Sequence, residues 1–268
     1  DLEQNTGGVD KLFGSSADIV MKNADKAYKT AGVSMNSYLE QATSFSASLI
    51  KDLDGNQKAA AKSVDTAISD MADNVNVFGT DQYLVQNAYE GFAKQNYTML
   101  DNLKLGYGGN QTGAIQLVND YGKLNKTAKT ISDFTFPQLI EAVHNAQKEM
   151  KITGTTAKEA AGTYEGSFKQ MKAAYEDFLS TGDSSKLQET VPVYLDNLDK
   201  KLKDLAPKII SSVKTFAKEL PDKIKPILQD LGRILSQSFD AILGDGVSEN
   251  FVKGMQPLFD SLKFMIDT

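Results

Sequence analysis

Apolar residues recur every three or four positions along most of this chain. In one clear example, Val64, Ile68, Met71, Val75 and Phe78 follow one another at alternating steps of four and three. This spacing places apolar side chains on one face of an α-helix. No convincing alternation of apolar and polar residues between turn signals indicates a β-strand. The pattern therefore predicts an all-α protein with about nine to eleven helices joined by short connections.

Two longer apolar stripes lie in the second half of the chain. One runs through Ala157, Ala161, Tyr164, Phe168, Met171, Tyr175 and Phe178, and the other through Val191, Leu195, Leu198, Leu202, Leu205 and Ile209. Their alternating steps of three and four approach the heptads of coiled coils. They fit self-association and packing within one chain equally well.

Turn-forming residues set the predicted helix boundaries. Asp54-Gly55-Asn56 separates a helix near residues 34–53 from one near residues 57–78. Gly79-Thr80 is expected to end the second of these helices and to cap the next one. Thr181-Gly182-Asp183 is predicted to be another turn.

Two pairs of residues have the spacing of a capping box, in which a hydroxyl and an acid or amide side chain cap a helix N-terminus. These pairs are Thr156 with Glu159 and Ser185 with Gln188. We therefore expect helices to begin at these two places.

Composition changes near residue 181, from segments rich in Ala, Gly, Asn and Thr to segments rich in Lys, Leu, Ile and Pro. We predict a compact multi-helix core domain with short glycine turns over residues 1–181. Residues 182–268 are predicted to form an amphipathic helical extension, elongated or oligomeric, and interrupted at Pro207, Pro221 and Pro226.

Overall composition places the chain among globular proteins. It has 268 residues, 41% hydrophobic and 24% charged, with a net charge of -6. An acidic chain repels phosphates, so we expect no specific nucleic-acid binding. The absence of Cys excludes disulfides and thiolate chemistry. Because the sequence starts at Asp1 without a visible signal peptide, we expect it to be a piece of a longer protein.

Candidate chemistry is sparse. His144 is the only histidine, and its expected helical neighbours Glu141 and Lys148 do not make a metal or catalytic site, so a structural or surface role is favoured. The run from Asp52 to Asn56 lacks the glycine and glutamate spacing of a calcium loop. No GxSxG elbow occurs. We therefore predict no catalytic residues, no metal ligands, no cofactor and no enzymatic activity.

The segment Ala88–Gly109, AYEGFAKQNYTMLDNLKLGYGG, is the most distinctive part of the sequence. We predict a helix that starts near Asp81 and is stopped by Gly106, Gly108 and Gly109. A dinucleotide-binding loop would need a preceding strand and different glycine spacing. Along this helix we expect packing or self-association through Tyr89, Phe92, Leu100 and Leu103, with Asn96 as a buried polar residue on the same stripe.

Lysine is concentrated between Lys200 and Lys225, where eight lysines face three acids. A basic amphipathic helix can lie on a membrane, bind a partner helix, or simply expose a solvated face. The candidates for a membrane-facing or partner-facing role are Lys208, Lys214, Lys218, Lys223 and Lys225.

Several segments in order resemble the core region of tape measure proteins from long-tailed phages and prophages of Gram-positive bacteria. They are SFSASLIKDLD at Ser44–Asp54, AISDMADNVNVF ending at Phe78, the Ala88–Gly109 segment, and ITGTTAKEAAGTYEGSFKQMKAAYEDF at Ile152–Phe178. The resemblance covers roughly residues 36–179, with the run Phe92–Gly109 as its most specific part. The chain departs from the family over residues 110–129 and at Tyr175, where the family often has tryptophan.

The resemblance implies a structural protein. Such proteins occupy the lumen and tip of the phage tail, help to set tail length during assembly in the bacterial cytoplasm, and leave ahead of the DNA during ejection. The partners it implies are further copies of the same chain, with a trimer favoured, tail tube and tail tip proteins, and the host membrane. The alternative is a membrane-active helical protein that assists genome passage through the host envelope. A third class, a peptidoglycan hydrolase, has no supporting motif.

Overall fold

The computed structural model describes residues 2–124 and 126–219, except for the side chains of Ile210 and residues 213–219. The interruptions predicted at Pro221 and Pro226 lie outside this range, whereas Pro207 lies inside a single helix, Ser185–Glu219. The chain forms two compact units, Asp1–Val191 and Pro192–Thr268. This division lies ten residues after the predicted boundary at 181 and falls inside a helix rather than at the Gly182 turn.

The described residues are helical and contain no strand, which confirms the predicted all-α class. Short 3-10 helices occur at Gly14–Ser16, Leu100–Leu103 and Ile131–Asp133. The α-helices are α1 (Leu2–Phe13), α2 (Ala17–Thr30), α3 (Met35–Asp52), α4 (Gln57–Phe78), α5 (Gln82–Phe92), α6 (Gln111–Tyr121), α7 (Phe136–Glu149), α8 (Thr155–Glu159), α9 (Tyr164–Thr181) and α10 (Ser185–Glu219).

Helix α4 is the centre of the first unit. It packs against α1, α2, α3, α5, α7 and α8, while α6 packs on α7 and α9 packs on α2 and α3. Its apolar stripe buries Val64, Ile68 and Met71 as predicted. Four buried alanines on α4 leave room for neighbouring helices to approach closely, and these are Ala60, Ala61, Ala67 and Ala72.

Polar side chains fix the helix starts. Ser34, Asn56, Asp81, Asn110 and Thr163 each accept a hydrogen bond from a backbone N–H in the first turn of the following helix. Each satisfies one of the donors that a helix N-terminus leaves unpaired. The helices near residues 34–53 and 57–78 are confirmed as α3 and α4, and Gly79 ends α4 in a left-handed conformation.

The caps differ from the prediction in three places. Asp81, not Thr80, caps α5. Gly154 is the N-cap of α8, so Thr156 lies inside the helix and is buried, and the predicted box with Glu159 is wrong. At α10 the cap lies earlier than Ser185, because Asp183 accepts the Ser185 N–H and Gln188 bonds to Ser184.

The predicted helix from Asp81 to the glycines at 106–109 is wrong, because α5 ends at Phe92. The N–H of Asn96 bonds back to the carbonyl of Gly91, and Gln95 takes a left-handed conformation with φ 58°. This bond pattern closes the helix C-terminus as a Schellman-type turn. Beyond the turn the chain continues through the 3-10 helix Leu100–Leu103, which Lys104 ends at φ 54°.

The stripe predicted over residues 157–178 is divided between α8 and α9, and α9 turns much of it outward. The side chains of Phe168 and Tyr175 are 42% and 49% exposed. The buried face of α9 is instead small and polar, and consists of Ser167, Gln170, Ala173, Ala174 and Asp177.

In the second unit, the described part of α10 also carries its apolar stripe at the surface. Leu195, Leu205 and Ile209 are 37%, 36% and 38% exposed. Asp196 pairs with Lys200 and Asp199 with Lys203 one helical turn apart. Such exposed pairs add little to stability.

Substitution of Gly91 tests the turn that ends α5. A Cβ atom at this position would lie 2.8 Å from the backbone oxygen of Asn96. We expect Gly91→Ala to lower the free energy of unfolding by about 1–3 kcal/mol, because the closed turn must shift. The matched control is Gly7→Ala on α1, where no atom lies within 4 Å of the added Cβ. It should raise stability by about 0.5–1 kcal/mol through helix propensity.

Urea unfolding of the full chain measures both changes. If Gly91→Ala is as stable as the wild type, the close approach of Asn96 to Gly91 does not constrain this turn.

Candidate functional site

Three polar residues lie buried on one side of α4. Asp73 and Asn74 follow Asp70 by three and four residues, so they lie on the same helical face as Asp70. Their exposed fractions are 0%, 2% and 0%. Polar groups withdrawn from water require hydrogen-bond partners. We call these residues and their bonded neighbours the α4 polar cluster.

Asp70 is paired with the only histidine. The Nδ1 atom of His144 on α7 lies 2.9 Å and 3.1 Å from the two carboxylate oxygens of Asp70. One turn further along α7, Gln147 donates to the backbone oxygen of Asp70 at 3.2 Å. Both contacts join α4 to α7. The partner of His144 is therefore Asp70 on α4, and not Glu141 or Lys148 on its own helix.

Burial and pairing shift the ionisation of both members of this pair. Burial raises the pKa of Asp70 to about 6, and the hydrogen bond with His144 opposes that shift. The hydrogen bond with Asp70 raises the pKa of His144, and loss of hydration opposes it. Both groups therefore hold a proton more tightly in the folded chain than in the unfolded chain.

Asp73 organises the turn that precedes α8. Its Oδ2 atom accepts the N–H of Gly154 at 2.5 Å, and its Oδ1 atom accepts the N–H of Thr156 at 2.8 Å. Gly154 is left-handed with φ 82°, so both N–H groups point toward the carboxylate from one tight turn. Charge-assisted bonds of this kind are stronger than neutral ones.

Asn74 connects α4 to the distinctive segment Ala88–Gly109. Its Nδ2 atom donates to the backbone oxygen of Leu103 at 2.8 Å. The predicted packing residues of that segment, Tyr89, Phe92, Leu100 and Leu103, are 0–2% exposed and pack inside this chain. Burial raises the pKa of the Tyr89 hydroxyl, and the charge of the nearby Asp70 carboxylate adds to this rise.

The prediction for Asn96 is wrong. Asn96 is exposed, and its Oδ1 atom accepts hydrogen bonds from the N–H and the hydroxyl of Thr98. Because α5 has already ended at Phe92, Asn96 no longer falls on the stripe that a continuous helix would give it. It forms a local Asx turn instead.

The three glycines of the segment lie in a turn that follows the 3-10 helix. Gly106 is left-handed with φ 87°. A Cβ atom on Gly109 would lie 2.4 Å from the backbone oxygen of Thr98, and one on Gly108 would lie 3.0 Å from the Asn110 side chain. The glycines thus permit close backbone approach, and they do not end the helix from Asp81.

The same segment lines a cleft of about 310 Å³. Its lining residues include Phe92, Gln95 and Tyr97 of this segment and also Asp52 and Phe136. The Asp52 carboxylate accepts the N–H of Phe136 at 3.1 Å, so its charge already stabilises the start of α7.

The lysine candidates fall largely outside the described part of the molecule. Lys208 lies on α10 and is exposed. For Lys214 and Lys218 the structure gives only backbone positions in α10, and Lys223 and Lys225 lie beyond residue 219. Within residues 2–124 and 126–219, no helix combines the length and apolar character needed to cross a bilayer.

The described bonds of the α4 polar cluster join helices and turns of the first unit. A carboxylate–imidazole pair can act as a general base when a nucleophile or substrate lies within hydrogen-bond reach. The described bonds around His144, Gln147 and Asp73 instead join α4 to its neighbours. In the part of the chain with described side chains, no group of three His, Asp or Glu residues is arranged to hold a metal ion.

The sequence carries a signal for this cluster besides its apolar stripes. Asp70, Asp73 and Asn74 interrupt the apolar face of α4, in the run Ile68–Val75. A charge at a position that periodicity assigns to the core requires a partner. The partners lie 29 to 83 residues away along the chain, so their identity follows only from the fold.

Comparison of the chain with protein-family models, curated proteins and solved structures finds no match.

The Asp70–His144 pair predicts a specific pH dependence. Because the pKa of His144 is raised in the folded chain, its protonation stabilises the fold. This stabilisation is fully present below the unfolded pKa of about 6.5, and it is lost as pH rises through the higher pKa of the folded state. We expect the free energy of unfolding of the wild type to fall as pH rises above about 6.5. Asp70→Asn should show a smaller slope, because its His144 lacks the carboxylate.

This range lies above the pKa of about 6 for Asp70 itself, so His144 dominates the difference between the two proteins. Urea unfolding across the range gives the two curves. Parallel curves would contradict a proton-linked contact between α4 and α7.

Asp73 gives a second prediction. Asp73→Ala removes the carboxylate that accepts two backbone N–H groups, and it leaves the N–H of the buried Thr156 unpaired. We expect a loss of at least about 2 kcal/mol in the free energy of unfolding. Asp10→Ala, at an exposed position of α1, is the control and should change stability by less than about 0.5 kcal/mol. Equal effects of the two substitutions would show that Asp73 does not support the turn.

Proposed function

We propose that this chain is part of a phage tail tape measure protein and serves a structural role in the tail. In this proposal the described residues of the first unit form a folded body at the tail tube or tip, within a longer chain that helps to set tail length. The body leaves with the rest of the protein during DNA ejection.

One observation supports this proposal most directly. The segments that carry the family resemblance are bonded to one another through α4. Asn74 binds Leu103 of the Ala88–Gly109 segment, and Asp73 binds Gly154 and Thr156 of the ITGTT run. The distinctive residues are thus used for folding, as expected for a structural protein whose sequence signature encodes a shape.

The all-α fold is compatible with the same role, although fold alone does not determine function. A ruler needs length in proportion to residue number, and continuous helix supplies about 1.5 Å per residue. The turns of the first unit divide it into helices of 5 to 22 residues, which suits a folded body better than a rod.

The partners in this proposal are other copies of the chain, with a trimer favoured, and tail tube and tip proteins. The membrane alternative depends on the five lysine candidates, of which Lys208 alone has a described side chain. We therefore give priority to the structural role.

Labelling of virions tests the proposal. Antibodies raised against the folded chain should bind tails of the phage or induced prophage that encodes the full-length protein. Labelling should require opened tails or exposed tips, and it should disappear from particles that have ejected their DNA. An antibody against the major tail tube protein provides the control, because its label should remain after ejection.

Absence of the protein from purified virions, measured by quantitative mass spectrometry, would refute a tail role. Retention of the full label after ejection would refute release.

A further inference from the structure

Six side chains meet where α10 begins. The Nζ atom of Lys186 lies 2.8 Å from the Oδ2 atom of Asp177 on α9 and 2.9 Å from the Oδ1 atom of Asp25 on α2. The same ammonium group lies 5.1 Å from the centre of the Tyr28 ring. This geometry combines two ion pairs with a cation–π contact.

The outer part of the same group involves Glu189. The hydroxyl of Tyr28 donates to its Oε2 atom at 2.8 Å, and Lys29 forms an ion pair with its Oε1 atom. Glu189 lies about one helical turn after Lys186. We call the set Asp25, Tyr28, Lys29, Asp177, Lys186 and Glu189 the α10 latch.

The latch holds its segment mainly through charge. Of residues 185–191, only Thr190 is buried. The side chains of Asp177 and Lys186 are 4% and 15% exposed, whereas those of Lys29 and Glu189 are 46% and 52% exposed. The segment therefore has a desolvated ionic centre and a solvated rim, with little apolar burial of its own.

Two features bound this segment. Gly182 precedes it in a left-handed conformation, with φ 75° and no atom within 4 Å of an added Cβ. Pro192 follows it inside α10 and lacks the N–H that would bond to the carbonyl of residue 188. The end of the first unit at Val191 coincides with this proline.

Asp177 has a second partner that does not depend on the latch. Its Oδ1 atom accepts the N–H of Met35, at the start of α3, at 2.7 Å. If Lys186 leaves, the buried carboxylate still keeps this bond, so α9 and α3 remain joined. Loss of the latch therefore does not require the rest of the first unit to open.

We propose that the α10 latch is a releasable device that holds residues 183–191 on the helical body and opens locally, while α1–α9 stay folded. Local openings of this kind occur in segments with few buried apolar contacts. The proposal is independent of the tail assignment, because it concerns only contacts within the first unit.

Hydrogen exchange of the full chain, read by mass spectrometry, tests the latch. Lys186→Met keeps an unbranched side chain but removes the charge. We expect the amides of residues 188–191 of the wild type to exchange at least about tenfold faster than the buried amides of α4, and Lys186→Met to increase exchange of residues 188–191 at least about tenfold more. Glu189→Gln, which removes only the outer ion pair, should give a smaller increase in the same residues.

The control is Lys172→Met. Lys172 pairs with Glu176 within α9 at 3.9 Å, and it is 65% exposed. Because this pair joins no two elements, its loss should leave exchange of residues 188–191 unchanged.

Two results would overturn the proposal. If the amides of residues 188–191 and of α4 are equally protected in the wild type, the segment opens only with the whole unit. If exchange of residues 188–191 is unchanged in both Lys186→Met and Glu189→Gln, these contacts do not hold the segment.

Discussion

The first unit depends on the pairing of carboxylates that its central helix buries. Asp70 and Asp73 are withdrawn from water on α4. Removal of one partner from a buried ion pair is strongly destabilising, because the remaining charge stays uncompensated. Helix α7 must therefore place His144 beside Asp70, and the turn before α8 must place its N–H groups beside Asp73. Apolar packing alone tolerates many registers, whereas these bonds select one.

Helix α9 also buries a carboxylate that is bonded to neighbouring elements. Its most apolar stripe is substantially exposed at Phe168 and Tyr175, and its polar side is buried. Asp177 explains the orientation, because its two oxygens bond to Met35 and Lys186. These bonds can form only when the polar side faces the body. The observed orientation thus satisfies a buried carboxylate and leaves two aromatic side chains substantially exposed.

Periodicity in the sequence predicted the helices well and their orientation less well. The bounds of α3 and α4 agree with Asp54-Gly55-Asn56 and Gly79, because these turn residues act locally. The end of α5 at Phe92 was not predicted, since it depends on the bond from Asn96 to Gly91 and on a left-handed Gln95. The partners of Asp70 and Asp73 lie 74 and 81 or more residues away, so no local pattern identifies them.

A buried carboxylate bonded to a histidine is also found in hydrolytic enzymes, where the carboxylate orients the imidazole for proton transfer. In this protein the bonds around the pair hold helices together. Gln147 on the same helix binds the backbone of Asp70, and Asp73 and Asn74 on the same face bind two further segments. The cluster therefore joins α4 to α7, to the turn before α8 and to the segment that contains Leu103.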